Sequence, residues 1–192
     1  SSDLWFEARS THECHRNNVV GGKHLTIALM LAKLCHDILL ADGPAACAAI
    51  DAGVPTPALE RIVEANILLS GLGFEIGGLA LAHAVHNGIS TIPGSHHNLH
   101  GEKVVIGLHT QLVLEGQPQS EIDAVFRYCQ QVGLPTPLAQ VGIDASNDAE
   151  LMAIAERSVI PGETSHNEPF EVTAIAVMRA LKAADQLGRA YL

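Results

Sequence analysis

Basic residues are scarce in this chain of 192 residues, which has 11 Lys and Arg against 21 Asp and Glu and a formal net charge of −10. Proteins that bind DNA or RNA by counterion release need clustered Lys and Arg, and this sequence has no such cluster. We therefore expect no nucleic-acid partner. Hydrophobic residues make up 47% of the chain and charged residues 17%, a balance that favours a folded domain over a disordered chain.

Long apolar runs are also absent. No run reaches the roughly 18 residues typical of a membrane-spanning helix, and the first ten residues have no apolar segment of the kind found in secretion signals. The sequence therefore predicts neither export nor a membrane partner. The cysteines form no C-x-x-C pair and are expected to be reduced thiols of a cytoplasmic protein. They are Cys14, Cys35, Cys47 and Cys129.

Strand-like alternation, flexible linkers and repeats are missing too, and the hydrophobic spacing is helical nearly throughout. The expected fold is all-α, with a single domain over residues 1–192. The spacing predicts helices over residues 4–9, 24–40, 45–52, 57–70, 74–86, 101–115, 120–131, 148–159 and 168–191.

Turn residues set the predicted helix boundaries. Residues 42–44, which end in Pro44, separate the second helix from the third, because proline suits a first helical position. Thr56 is the expected N-cap of the next helix, residues 71–73 the next break, and residues 87–88 a C-terminal cap. The second helix is expected to carry one apolar stripe, made of Ile27, Leu31, Leu34 and Ile38.

Several catalytic motifs are absent. The sequence has no H-E-x-x-H of the zinc peptidases and no G-x-S-x-G of the serine hydrolases. Its glycines at residues 71–78 do not form G-x-G-x-x-G and follow no strand. Gly77 and Gly78 within a predicted helix each cost about 1 kcal/mol relative to alanine. A neighbouring helix or a cofactor is therefore expected to approach that backbone closely.

Histidine, by contrast, is abundant, with 11 in the chain. Five fall within residues 83–100, inside a stretch between Glu75 and Glu102 that has no Asp, Glu, Lys or Arg. His83 and His86 are three residues apart on a predicted helix and share one face, and His100 lies at the start of the next helix. Two imidazoles and a carboxylate are sufficient protein ligands for zinc. Histidines that pack in a core or cap a helix have the same spacing, so both interpretations stay open.

The remaining histidines are expected to have no site role. His96 and His97 are adjacent in a polar loop and are expected to be solvated. The isolated histidines are expected at the surface or at helix ends. They are His12, His15, His24, His36, His109 and His166.

Residues 71–88, which end in A-H-A-V-H-N-G, and residues 96–104, H-H-N-L-H-G-E-K-V, closely resemble the iron-containing (group III) alcohol dehydrogenase family, and within it the bacterial glycerol dehydrogenases. The likeness extends from W-F-E-A-R at residues 5–9 to G-E-T at residues 162–164 and H-N at residues 166–167. It covers essentially the whole chain. By this resemblance the all-helical fold is that of the C-terminal domain of the dehydroquinate synthase-like enzymes.

The resemblance implies a two-domain enzyme in which each domain has its own function. Family members have an N-terminal α/β NAD-binding domain and a C-terminal helical domain, with NAD and a divalent metal in the cleft between them. This chain is similar to the second domain only, so we expect a truncated start, a missing NAD-binding domain and no activity of the chain alone. The whole enzyme is expected to be an oligomer that oxidises glycerol, or a similar polyol, to dihydroxyacetone.

The resemblance also assigns residues. His83, in the A-H-A-x-H-N-G motif, and His100, in the H-G-E-K motif, are the implied zinc ligands. His86 matches a histidine that lies near the site without being a ligand, and it is expected to orient a ligand or relay the released proton. The third family ligand is an aspartate five residues before Trp5, which falls just before Ser1. Asp3 is the nearest carboxylate, but it does not match the family pattern.

Two alternatives remain open at the level of the sequence. The chain resembles other polyol or alcohol dehydrogenases of the same family as well, because substrate choice depends partly on the other domain. It is also compatible with a catalytically inert helical domain that packs against partner subunits.

Overall fold

The computed structural model of the chain describes residues 2–23 and 25–192. Within these residues all regular secondary structure is helical, apart from one isolated β-bridge between Asn17 and Lys23. The predicted all-α fold class is therefore confirmed. His24, where the sequence places the start of a helix and a surface histidine, lies outside the described residues.

The chain divides into two compact units, Ser1–Leu79 and Ala80–Leu192. The single domain predicted over residues 1–192 stays a prediction. The first unit contains α1 (Asp3–Glu13), α2 (Thr26–Ala52), α3 (Pro57–Glu64) and α4 (Ser70–Gly77). A π-helical turn, Ala65–Leu69, connects α3 to α4.

Helix α2 continues through the point at which the sequence predicts a boundary. Pro44 removes one backbone donor from the helix, and a proline in a helix interior costs about 3 kcal/mol. The helix nevertheless extends to Ala52. Leu39 and Ala46, on either side of the proline, are both buried, so tertiary packing holds the two halves in one helix. The prediction of two separate helices is wrong.

The buried face of α2 is also not the predicted stripe of large aliphatic side chains. Ile27 and Leu34 are each 48% exposed. The buried face instead consists of smaller or differently placed residues, which include Ala28, Ala32, Cys35 and Leu39. Ala32 packs against Leu4 and Ala8 of α1, and this small-residue face allows the helices to approach closely.

The predicted N-cap and the predicted glycine break have different outcomes. Thr56 Oγ1 accepts a hydrogen bond from the backbone N–H of Leu59 at 3.3 Å, which confirms the cap of α3. The helix break lies later than expected, because α4 ends at Gly77 and Gly78 adopts φ +90°. A Cβ on Gly78 would lie 2.6 Å from Cγ2 of Thr11. The close neighbour of this backbone is therefore helix α1.

The second unit contains the helices that follow. They are α5 (Leu81–Ile89), α6 (His100–Leu114), α7 (Gln119–Val132), α8 (Asp148–Arg157) and α9 (Ala174–Gly188). Helix α5 packs against both α6 and α8. Its apolar side chains join a core that includes Leu81, Val85, Ile89, Leu151, Ile154 and Leu181.

Two boundaries in this unit differ from the sequence prediction. Helix α5 starts at Leu81 and continues through Asn87 and Gly88 to Ile89, so residues 87–88 are not a C-terminal cap. Helix α9 starts at Ala174 rather than at residue 168, because the side chain of Thr173 accepts a hydrogen bond from the N–H of Ala176 and caps it there.

No single helix in the described part of the chain combines the length and the apolar composition that a membrane span requires. The pair Thr26–Ala52 and Pro57–Gly77, bent by 113°, meets those criteria only when the two are taken together.

Candidate metal centre

Three histidines converge in the second unit. His83 and His86 lie on α5, and His100 is the first residue of α6, as the sequence predicts. The ring centroids of His83 and His100 are 5.6 Å apart, those of His86 and His100 are 4.3 Å apart, and those of His83 and His86 are 6.2 Å apart. The side chains that the sequence singled out are therefore neighbours in space.

Side chains from later elements hold the start of helix α5. The backbone N–H of Leu81 donates to Oε1 of Glu168 at 3.0 Å, and the N–H of Ala82 donates to Oε1 of Gln111 at 2.9 Å. These bonds satisfy backbone donors that the first turn of a helix leaves unpaired. They link residues 87 and 29 positions apart, so local sequence patterns contain no signal for them. The orientation of the helix that carries His83 and His86 thus depends on Glu168 and Gln111.

His86 has a polar neighbour at each of its two ring nitrogens. Its Nδ1 lies 3.1 Å from Oδ1 of Asn87, and its Nε2 lies 3.4 Å from Oγ of Ser90. Burial lowers the pKa of His86 to about 4, with further contributions from the nearby His100 ring and other positive groups that outweigh the hydrogen bond to Asn87. The ring is therefore neutral near pH 7, the form in which an imidazole offers a lone pair.

The donor set fits a divalent transition metal. Two imidazoles that bind one tetrahedral zinc ion through nitrogens about 2.0 Å from it have ring centroids roughly 5 Å apart. The separation of 5.6 Å between His83 and His100 is close to that value. The 4.3 Å T-shaped contact of His86 with His100 is shorter than that value. Imidazole is a ligand that suits zinc, iron and other first-row metals.

The other histidines have mixed outcomes. His96 and His97 are exposed in the loop before α6, as predicted, and His15 and His166 are exposed as well. The prediction is wrong for His36 and His109, which are 7% and 1% exposed. Each of these two sits against an aromatic ring that the sequence does not associate with it. These rings are Phe6 for His36 and Phe126 for His109.

Neither of the two buried cysteines, Cys35 and Cys129, is an activated nucleophile. None of the four cysteines forms a disulfide. Burial raises the pKa of Cys35, and it raises the pKa of Cys129 to about 12. Sγ of Cys129 lies 3.6 Å from Nε2 of His109, a contact between residues on α7 and α6 that sequence reasoning missed. Both groups are neutral in this buried environment, since burial lowers the pKa of His109 to about 3.

Comparison with known proteins finds clear homologues of the chain. No family model matches the chain. The glycerol dehydrogenase of Citrobacter freundii is 49% identical over 188 residues, which are 98% of this chain and 52% of that protein. The crystal structure of a probable glycerol dehydrogenase from Sinorhizobium meliloti 1021 superposes with a TM-score of 0.93 at 40% identity, over 98% of this chain and 53% of that one. The chain is a homologue of the C-terminal part of the glycerol dehydrogenases.

The glycerol dehydrogenase resemblance seen in the sequence is thereby confirmed. The chain spans about half the length of the curated relatives it matches. A glycolaldehyde reductase of Halobacterium salinarum is also similar, at 43% identity over 96% of this chain and 51% of that protein. The chain is therefore similar to proteins that are named for different substrates.

Proposed function

We propose that the chain is the metal-binding part of an NAD-dependent glycerol dehydrogenase that oxidises glycerol to dihydroxyacetone. The observation that carries the proposal is the convergence of His83, His86 and His100 in a protein 49% identical to a glycerol dehydrogenase. The substrate is a small polyol, and NAD binds to another domain of the whole protein. We also propose a cytoplasmic homo-oligomer.

His83 and His100 would hold the metal, for which zinc is our assignment. The centroid separation of these two rings supports this pair over either pair that includes His86. The third ligand would be the aspartate that the family resemblance implies five residues before Trp5. When bound, the metal supplies a Lewis acid that lowers the pKa of an alcohol hydroxyl, and NAD supplies the hydride acceptor.

His86 would act beside the metal ligands. Its neutral ring has a T-shaped contact with His100 and hydrogen-bonding neighbours at both nitrogens. We assign to it the orientation of a ligand or the relay of the proton that the alcohol releases.

A zinc titration tests the ligand assignment directly. The metal content of the purified full-length enzyme is measured by mass spectrometry, and its zinc binding is measured by calorimetry for the wild type and for H100A. His96→Ala is the matched control, because His96 is an exposed histidine in the loop before α6. We expect H100A to lose zinc binding and H96A to retain it. Equal zinc affinity of wild type and H100A would contradict the assignment.

The activity itself is tested in the full-length enzyme. There we expect His83→Ala to abolish metal-dependent oxidation of glycerol while circular dichroism shows an intact helical fold. Unchanged turnover would contradict the role of His83. A loss of stability without an effect on metal content would instead indicate that His83 is a core histidine.

A different substrate within the same family is the second candidate function. The similarity to a glycolaldehyde reductase favours it, because that protein is named for another small hydroxylated compound. Steady-state kinetics of the full-length enzyme with glycerol, other diols, glycolaldehyde and simple alcohols distinguishes the two. A higher kcat/KM for glycolaldehyde than for glycerol would replace the first proposal with the second.

A further inference from the structure

A chain of hydrogen bonds leads from helix α8 to the ring of His86. Arg157 forms an ion pair with Oε1 of Glu163, and Oε2 of Glu163 accepts a hydrogen bond from Nδ2 of Asn87 at 3.0 Å. Oδ1 of Asn87 lies 3.1 Å from Nδ1 of His86. Asn87 therefore connects a charged pair to one of the histidines at the candidate metal centre.

The charge of Glu163 fixes the direction of each bond in this chain. Burial opposes ionisation of Glu163, but the hydrogen bonds from Arg157 and Asn87 together hold the pKa of its carboxyl below the ordinary value. An ionised carboxylate only accepts hydrogen bonds, so the amide nitrogen of Asn87 must face Glu163. The amide oxygen of Asn87 must then face His86. Since a carbonyl oxygen only accepts, Nδ1 of His86 must carry the hydrogen.

We propose that Asn87, oriented by Glu163, is a positioning residue that holds His86 in the Nδ1–H tautomer and leaves the lone pair on Nε2. The contact on the other side of the ring agrees, because Oγ of Ser90 lies 3.4 Å from Nε2 and can donate its hydrogen there. The nitrogen that is protonated in a neutral histidine is generally set by the hydrogen bond of the other nitrogen. The tautomer assignment does not depend on the proposed function. Its consequence, that Nε2 is the atom available to accept a proton, rests on the proposed function.

The tautomer is measured by NMR rather than by activity. Protein with ¹⁵N-labelled histidine is treated with a chelator and studied at about pH 8, above the ordinary imidazole pKa of about 6.5. Long-range ¹H–¹⁵N correlations distinguish a protonated ring nitrogen from one with a lone pair, and the signals of His86 are assigned by their loss in H86Q. We expect Nδ1 of His86 to be the protonated nitrogen in the wild type. A protonated Nε2 of His86 in the wild type would by itself overturn the inference, and no variant would be needed.

Three variants separate the contribution of Asn87 from that of its neighbours. Asn87→Leu removes the acceptor at nearly constant size, and we expect the Nε2–H form to become the major one. In the Glu163→Gln variant, residue 163 no longer fixes the orientation of the Asn87 amide. We therefore expect a mixture of both His86 tautomers. Ser90→Ala removes only the partner of Nε2, so the Nδ1–H form should persist. A shift in Ser90→Ala with none in Asn87→Leu would contradict the role of Asn87.

Glu156→Gln is the matched control for Glu163→Gln, since Glu156 is an exposed carboxylate on α8. We expect its tautomer signals to match those of the wild type. Zinc binding is measured separately on the full-length enzyme, which would include the third ligand. If zinc binds while Nε2 carries the hydrogen, this inference fails and the proposed function stands. If Nδ1 carries the hydrogen and no zinc binds, the proposed function fails and this inference stands.

Discussion

Gly107 of α6 lies directly against the backbone carbonyl of Ala82 in α5. A Cβ built on Gly107 would come within 2.1 Å of that oxygen, a distance at which backbone has to move. The two helices carry the histidines of the candidate metal centre, so their close approach brings His100 towards His83 and His86. Gly107 is therefore a structural requirement of this centre, although glycine has no side chain that could act as a ligand.

Gly107→Ala should separate α5 from α6. We expect a loss of about 1–3 kcal/mol in the free energy of unfolding, the usual cost of an overpacked core site. Urea denaturation followed by circular dichroism measures it. Gly101→Ala is the control in the same helix, because a Cβ there meets no atom within 4 Å. A stability of G107A equal to that of G101A would contradict the requirement.

Glu168 should contribute to stability through the start of α5. Glu168→Ala leaves the N–H of Leu81 without its acceptor, and an unsatisfied buried donor costs about 1–3 kcal/mol. Glu168→Gln retains an acceptor oxygen and should lose less. The exposed Glu171 provides the control variant E171A. The prediction is contradicted if chemical denaturation finds E168A and E171A equally stable.

Acid should destabilise the protein through His109. Its pKa is lowered in the folded state from 6.5 to about 3, so the unfolded chain binds a proton that the folded protein excludes. Its contribution to stability is therefore complete above pH 6.5 and is lost as the pH falls towards 3. The loss approaches about 1.4 kcal/mol per pH unit within that window.

A comparison of unfolding free energies of wild type and His109→Leu at several pH values tests this dependence. The quantity of interest is the slope against pH, since the substitution also changes packing against Phe126 and Cys129. We expect a shallower slope in the variant between pH 6.5 and 4. Parallel slopes would show that His109 does not titrate differently on folding.

The four thiols should differ in reactivity. Cys35 and Cys129 are fully buried and have raised pKa values, whereas Cys14 and Cys47 are half-buried. Iodoacetamide reacts with the thiolate, so modification of the buried pair should require unfolding. Peptide mass spectrometry after brief labelling should find Cys14 and Cys47 modified first. Early labelling of Cys129 in the folded protein would contradict the burial of its thiol.

The histidines of the candidate centre could be found from the sequence because they follow local rules. The three-residue spacing of His83 and His86 puts both on one face wherever the segment is helical, and it is helical here. His100 begins α6 because Glu102, two residues later, accepts the N–H of Leu99 at 2.7 Å and caps that helix. The likeness to glycerol dehydrogenases covered the same residues.

Other features had no local signal. The caps of α5 by Glu168 and Gln111, and the bond from Asn87 to Glu163, join residues 87, 29 and 76 positions apart. Burial of His109 likewise depends on Phe126 of another helix. A pattern read along the chain contains no information on which distant side chain will meet a given backbone group.

The sequence by itself determined the helical class, the family resemblance and the histidines that share the candidate centre, because helical periodicity and short motifs are properties of neighbouring residues. Only the tertiary structure decided that α2 passes through Pro44 and buries Ala28 and Ala32 rather than Ile27 and Leu34. The physical reason is that packing of one helix against others outweighs the local preference of a proline and selects the face that allows close contact.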